Sequence, residues 1–89
     1  MQQDPTILLV EDEPALRTGT EQFLRQRGFT VLTATSGEEA LKKFTQADVV
    51  ILDIMLPGMS GIETLHQIRQ TSDVPVLMLT ALHDEPTQV

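Results

Sequence analysis

The 89-residue sequence predicts a single α/β domain built on a parallel sheet with helices on both faces. Four short apolar segments alternate with three segments whose apolar residues recur at helical spacing, in the order β-α-β-α-β-α-β. Strands that alternate with helices of this size are joined by crossovers, and crossovers produce parallel strands. A chain of this length builds one hydrophobic core, so the domain is predicted to span residues 1–89.

The first strand and the first helix follow from TILLV and the segment after it. TILLV (Thr6–Val10) is a continuous apolar run, which is typical of a strand buried on both faces. Pro14 suits the first turn of a helix, and Gly28 is a natural stop for that helix. The apolar residues near helical spacing in this segment are Leu16, Phe23 and Leu24.

The second strand and helix follow at once. FTVLTA (29–34) alternates apolar and polar residues, which predicts an edge strand with one solvated side. Ser36 and Glu39 have the S-x-x-E spacing of a capping box, which predicts the start of a helix. The apolar residues carried by that helix are Ala40, Leu41 and Phe44.

The rest of the chain contains two more strands and one more helix. DVVILD (48–53) is the third strand, and VPVLMLT (Val74–Thr80) is a fourth strand of the buried type. Between them, GIETLHQIRQT (61–71) predicts a helix. Its predicted inner face carries Ile62, Leu65 and Ile68. ALHDEPTQV (81–89) is predicted to be a loop and the beginning of a helix.

The composition excludes several classes of function. The net charge of −7 would repel DNA, so we expect no direct nucleic-acid binding by this chain. The absence of cysteine excludes a disulfide scaffold, a thiolate metal site and a cysteine nucleophile, and it fits a reducing cytoplasm. The sequence has neither a signal peptide nor an apolar stretch of membrane-spanning length, so no membrane partner is expected.

Three acidic residues stand where strands end. Glu11 and Asp12 follow the first strand, and Asp53 ends the third. Carboxyl ends of parallel strands share one edge of a sheet, where ligands bind. If the two strands are neighbours, three carboxylates crowd together and cost stability unless a cation lies among them. Oxygen ligands without His or Cys favour Mg²⁺ over zinc. The simpler alternatives are that Asp53 caps its strand and that the acidic pair complements a helix dipole.

A metal at this edge would allow phosphoryl chemistry. With Mg²⁺ bound, Asp53 could act as a nucleophile toward phosphorus and form an aspartyl phosphate. Thr80 ends the fourth strand at the same edge, where its hydroxyl could donate to a phosphoryl oxygen beside the small Ala81. Taken alone, Thr80 is an ordinary β-branched strand residue.

Other candidate residues are predicted to have no chemical role. His66 falls in a polar stretch of the third helix, and His83 lies among acidic residues, so both are expected at the surface. Gly58 and Gly61 form neither a G-x-G-x-x-G motif nor a P-loop, and they are predicted to be turn and helix-start glycines.

Taken in order, LLVEDE, VVILDIMLPGMSG and PVLMLTA resemble the receiver domain of two-component response regulators over nearly all of the chain. The resemblance implies a flavodoxin-like sheet with strand order 2-1-3-4-5. It implies a phosphorylation-dependent signalling switch, not an enzyme, in which Asp53 accepts a phosphoryl group from a sensor histidine kinase. It also implies that Glu11, Asp12, Asp53 and the Met55 backbone carbonyl bind Mg²⁺, and that the Thr80 hydroxyl moves toward the phosphate. An output domain of the full-length regulator, DNA-binding in type, would lie beyond this chain.

The sequence departs from the receiver pattern in one respect. A receiver has a fifth strand ending in a lysine, and an aromatic residue that moves with the threonine, whereas this sequence ends at Val89, where the fourth helix is expected to begin. Without that lysine the charge on the phosphoryl oxygens is less neutralised, so we expect phosphorylation of this fragment to be weak or absent. We also expect a dimer or a strand-swapped oligomer through the exposed edge of the fourth strand.

Two other functions are kept as alternatives. A phosphatase of the haloacid-dehalogenase type also forms an aspartyl phosphate, but it carries D-x-D, and Met55 stands at the position of its second acid. A structural fragment that keeps the fold without switching is the other alternative.

Overall fold

The computed structural model describes residues 4–79, in which four parallel strands form one sheet in the order β2-β1-β3-β4. This order agrees with the first four strands of the order that the resemblance implies. None of the helices in these residues is long and apolar enough to cross a membrane. The elements are β1 (Thr6–Val10), α1 (Pro14–Gln26), β2 (Thr30–Ala34), α2 (Gly37–Lys43), a 3₁₀ helix (Phe44–Gln46), β3 (Val49–Asp53), α3 (Gly61–Arg69) and β4 (Val76–Leu79).

The register of the sheet brings the ends of β1 and β3 side by side. Val10 pairs with Leu52, so Glu11 follows β1 at the level at which Asp53 ends β3. On the other side of β3, Asp53 pairs with Leu79 of β4. Because all four strands are parallel, these ends lie at one edge of the sheet.

The main core lies between the sheet and the helices α2 and α3. The chain passes from β1 to β2 in one direction and from β2 to β3 in the other, so right-handed crossovers place α1 and α2 on opposite faces. The core side chains come from β1, β2 and β3 and from the helices and the loop that cover this face of the sheet, and they are aliphatic apart from one Phe. They are Leu8, Val10, Ala34, Ala40, Phe44, Val50, Leu52, Leu56 and Ile68.

Side-chain caps start the helices. Ser36 Oγ accepts from the Glu39 amide at 3.1 Å, which confirms the predicted start of α2. The Glu39 carboxylate reaches back to the Thr35 amide at 2.7 Å, one residue before the partner expected in a capping box. The same spacing recurs in α3, where Ser60 Oγ accepts from the Glu63 amide at 3.1 Å.

The first helix is less buried than its sequence pattern predicts. Leu16 and Phe23 of α1 are 50% and 53% exposed, and no residue of this helix is fully buried. The helix gives way at Arg27 to Gly28, whose φ of 96° explains why a glycine stands there.

The third helix faces the core differently from the prediction. Ile62 is 50% exposed, whereas Gly61, Thr64 and Ile68 are buried. The close contact of Gly61 with the end of β3 fixes the rotation of α3 and turns Ile62 outward.

The fourth strand is shorter and more exposed than predicted. It begins at Val76, and Leu77 is 55% exposed. Within residues 4–79, β4 pairs with β3 on one side only. Thr80 and the predicted helix start in 81–89 lie outside the described residues.

Candidate acidic site at the carboxyl edge of the sheet

Three carboxylates meet at the edge where β1 and β3 end. One oxygen each from Glu11, Asp12 and Asp53 lies within 4.8 Å of the other two. Glu11 comes directly after β1 and Asp53 is the last residue of β3, so the register of the sheet produces this proximity. The structure thus brings together the three acidic residues that the sequence singles out.

Backbone amides orient the two acids that stand at strand ends. Glu11 Oε2 accepts from the Glu13 amide at 3.1 Å, and Asp53 Oδ1 accepts from the Met55 amide at 3.0 Å. In both cases the donor lies two residues further along the chain, as in an Asx-type turn. Each strand therefore ends in a turn that fixes the carboxylate against its own backbone.

Glu11 is the least favourable place for a charge in this cluster. The residue is only 5% exposed, and burial is the main reason why its carboxyl pKa is raised above 4.5. The neighbouring charges of Asp53 and Asp12 raise this pKa further, while the hydrogen bond from the Glu13 amide lowers it. A cation bound among these groups would oppose each of the effects that raise the pKa.

The carboxylates open into a cavity of about 480 Å³. Its acidic floor is bordered by Leu16 and by Met55, whose side chain is 65% exposed. The residues lining the cavity are Glu11, Asp12, Glu13, Leu16, Asp53 and Met55. A small anionic group held by a cation would fit between these apolar borders.

The donor set of the cavity fits Mg²⁺. It offers carboxylate oxygens, and neither His nor Cys belongs to the cluster. The oxygen separations of up to 4.8 Å compare with about 4.2 Å between opposite ligands of an octahedral Mg²⁺. The cluster is therefore close to the size that this ion needs.

Gly61 packs against the backbone of Asp53 and Ile54 at the end of β3. Its prediction as a helix-start glycine does not include this contact. A Cβ atom at this position would overlap the carbonyl oxygen of Asp53 and would stand 2.7 Å from Ile54 Cα. The Gly61 amide donates to the Ile54 carbonyl at 3.0 Å. The N-terminus of α3 thus packs directly on the backbone that carries Asp53.

The remaining candidates are only partly placed. His66 is exposed on α3, as predicted. Thr80, Ala81 and His83 lie outside the described residues, so the role predicted for the Thr80 hydroxyl stays a prediction. Glu13 has a structural role that the sequence did not reveal. Its side chain caps the N-terminus of α1 by accepting a hydrogen bond from the Leu16 amide at 2.8 Å.

Comparison with known protein families decides what kind of domain carries this site. The family model of the response regulator receiver domain matches residues 7–89. The chain belongs to the response regulator receiver domain family. Receiver domains are the signalling switches of two-component systems. The fold of this chain and the order of its strands agree with membership of this family.

Individual relatives agree with the family. The transcriptional regulatory protein AfsQ1 of Streptomyces coelicolor is 43% identical over 83 residues, which are 91% of this chain and 37% of AfsQ1. The receiver chain thus spans well under half the length of that relative. A crystal structure of the response regulator TrrA from Thermotoga maritima, in complex with Mg²⁺ and BeF, is 45% identical with a TM-score of 0.81, and the match covers 86% of this chain and 70% of TrrA.

A further crystal structure contains the histidine kinase ThkA in complex with TrrA. The matched chain is 41% identical with a TM-score of 0.81, over 96% of this chain and 75% of that one.

Proposed function

We propose that this receiver domain is a phosphorylation-dependent switch in which Asp53 accepts a phosphoryl group. The convergence of Glu11, Asp12 and Asp53 at one sheet edge carries this proposal, because a cation bound among them would relieve the repulsion of like charges within 4.8 Å and would place a phosphoryl group next to Asp53. The TrrA structure with Mg²⁺ and BeF supports it by family likeness.

The reaction asks little covalent chemistry of the protein. An oxygen of the Asp53 carboxylate attacks the phosphorus of a phosphohistidine, so that an O–P bond forms and the N–P bond breaks. The electron pair of the broken bond stays on the imidazole nitrogen of the donor. The turn at Met55 fixes one Asp53 oxygen by a hydrogen bond of 3.0 Å, which holds the carboxylate in one orientation for the attack.

Glu11, Asp12, Asp53 and the backbone carbonyl of Met55 are proposed to hold Mg²⁺. The bound ion would neutralise charge on the phosphoryl oxygens and on the carboxylates. Glu11, which is buried and accepts a hydrogen bond from the Glu13 amide, would be one of the side-chain ligands. We also propose that the hydroxyl of Thr80 moves toward the phosphoryl group after Asp53 is phosphorylated.

The proposed phosphoryl donor is a sensor histidine kinase, as the complex of ThkA with TrrA suggests for a related receiver. The full-length protein is proposed to carry an output domain that regulates transcription, since AfsQ1 is a transcriptional regulatory protein and is much longer than this chain. A cytoplasmic location belongs to the same proposal, because the bacterial relative AfsQ1 is a transcriptional regulatory protein and transcription in a bacterium takes place in the cytoplasm. Binding of DNA is not expected of this acidic chain itself.

Incubation with Mg²⁺ and acetyl phosphate tests the function. We expect a phosphoryl adduct of low yield by intact mass spectrometry, absent in Asp53→Asn and present in Asp73→Asn, which removes the same charge from an exposed loop. An adduct that persists in Asp53→Asn would refute the assignment of Asp53. Sustained hydrolysis of a phosphomonoester would instead favour the phosphatase alternative.

Self-association through β4 is a second, separate proposal. Its support is the pairing of β4 on one side only within residues 4–79, together with the exposed Leu77 on this strand. Light scattering of the 89-residue chain is expected to show a species larger than a monomer that shrinks in Leu77→Lys. A monomer at high concentration would contradict this proposal.

A further inference from the structure

Arg17 makes an unexpected pair of contacts behind the acidic pocket. It follows three acids of the loop before α1, and an arginine so placed is expected to pair with a carboxylate. Its Nη1 instead donates to the backbone carbonyls of Glu11 at 2.9 Å and of Asp12 at 3.2 Å. None of the ion pairs formed within residues 4–79 involves Arg17.

The two carbonyls reveal the shape of the loop that Arg17 holds. In an extended strand, successive carbonyls point in opposite directions, so two that reach the same nitrogen mark a chain that curls. The Glu11 amide still donates to the Ala34 carbonyl at 3.0 Å, next to the pairing of β1 with β2, and the bend follows at Asp12 and Glu13. The bend turns Asp12 out of the line of the strand, and the carboxylates of Glu11 and Asp12 both lie close to that of Asp53.

The position of Arg17 in α1 does not by itself stabilise the helix. It lies about one turn from the N-terminus of α1, where a cation opposes the helix dipole. The two carbonyl contacts offset this disadvantage. By donating to carbonyls, the guanidinium leaves the carboxylates available to a metal ion.

We propose that Arg17 is a positioning residue of the phosphoryl-acceptor site: it holds the curled Glu11–Asp12 backbone so that both carboxylates face Asp53. This inference rests on the proposed Mg²⁺ site. Residues that orient metal ligands through hydrogen bonds typically change metal affinity by 10–100-fold when they are replaced. We therefore assign Arg17 a role in metal affinity although it touches neither the metal nor the phosphoryl group.

The sign of the effect separates positioning from simple electrostatics. Removing a positive charge near three carboxylates would by Coulomb's law strengthen Mg²⁺ binding. Loss of the positioning contacts would weaken it. Arg17→Met removes the donors and the charge and keeps an aliphatic stem, while Arg27→Met removes the same charge at the other end of α1.

Calorimetric titration of the 89-residue chain with MgCl₂ measures these affinities. We expect Arg17→Met to bind Mg²⁺ about 10-fold more weakly than wild type, Arg27→Met to bind at least as tightly as wild type, and Arg17→Lys to recover part of the loss. An affinity of Arg17→Met equal to or greater than that of wild type would overturn the inference. If far-UV circular dichroism finds Arg17→Met unfolded, Arg17→Gln takes its place with the same expected sign.

A second measurement does not depend on the metal. In EDTA, the amide proton of Glu13, which donates to the Glu11 carboxylate, is expected to exchange faster in Arg17→Met than in wild type. Unchanged exchange would overturn the inference even if wild type failed to bind Mg²⁺. Failure of wild type alone to bind Mg²⁺ would overturn the proposed metal site and leave the role of Arg17 to be decided by this exchange.

Discussion

Replacing Asp53 by Asn removes one of three crowded charges while keeping the shape of the side chain. The variant also keeps an oxygen that can accept from the Met55 amide. We expect Asp53→Asn to be more stable than wild type when divalent cations are removed. The reason is that the metal-free pocket holds three carboxylates whose oxygens lie within 4.8 Å of one another.

The size of this gain follows from Coulomb's law. Two unit charges 4.8 Å apart repel by about 1 kcal/mol in a water-like medium and by about 3 kcal/mol at an effective dielectric constant of about 20. Asp12 is exposed and Asp53 is half-buried, so solvent screens much of the repulsion between them. Glu11 is buried and its repulsion is screened less. A net gain of about 1–2 kcal/mol is therefore expected for Asp53→Asn.

Saturating Mg²⁺ should reverse the order of stability. Wild type is expected to gain about 2.7 kcal/mol at a metal concentration of about 100 times Kd, because the ion binds only the folded chain. Asp53→Asn loses a ligand and should gain much less. Wild type is thus the less stable protein in EDTA and the more stable one in Mg²⁺.

Urea unfolding followed by far-UV circular dichroism measures both conditions, since the chain has neither Trp nor Tyr for fluorescence. Asp73→Asn is the control, because Asp73 lies in the loop before β4, at the opposite edge of the sheet from the pocket. It should shift neither stability by more than about 0.5 kcal/mol. The reasoning fails if Asp53→Asn is less stable than wild type in EDTA, or if Mg²⁺ stabilises both proteins equally.

Three further predictions concern the scaffold, each measured by urea unfolding. Gly61→Ala should destabilise the fold by about 1–3 kcal/mol, because the new Cβ would overlap the Asp53 carbonyl oxygen. Gly19→Ala, in open space within α1, should stabilise the fold by about 0.5–1 kcal/mol. Equal effects of the two substitutions would disprove the contact. Hydrogen bonding lowers the pKa of Glu39 from 4.5 to about 2, so the stability that its carboxylate contributes is present above pH 4.5 and is lost as the pH falls toward 2. The difference in the free energy of unfolding between wild type and Glu39→Gln should therefore shrink in that interval. A constant difference would exclude this linkage. Leu52→Ala, fully buried beneath the site, should cost about 2–5 kcal/mol, and a cost below 1 kcal/mol would contradict its burial.

The sequence predicts the elements of this fold better than their burial. Helical spacing correctly places Leu16 and Phe23 in α1, yet both are half exposed. Periodicity identifies the residues that share a helix face, but it contains no information on how much of that face other elements cover. Ile62 shows the same limit, since the rotation of α3 is fixed by the contact of Gly61 with the end of β3.

The position of the acidic site is predictable because a parallel sheet has a single carboxyl edge. Acids that follow β1 and end β3 must meet there once these strands are neighbours. The difference between Glu11 and Asp12, one buried and one exposed, is not predictable, because it depends on the bend at Asp12 and Glu13. The contacts of Arg17 run against its sequence context, in which three acids precede it.

The two sides of the pocket differ in how firmly they are held. Asp53 ends a strand that pairs on both sides, with β1 and with β4, and α3 packs on its backbone. Asp12, by contrast, is exposed and lies in a curl whose carbonyls are held by Arg17. Mutual repulsion of the carboxylates acts mainly on this less constrained side. A bound cation and the Arg17 guanidinium would therefore stabilise the same short segment, whereas Asp53, the proposed phosphoryl acceptor, lies on the more constrained side of the pocket.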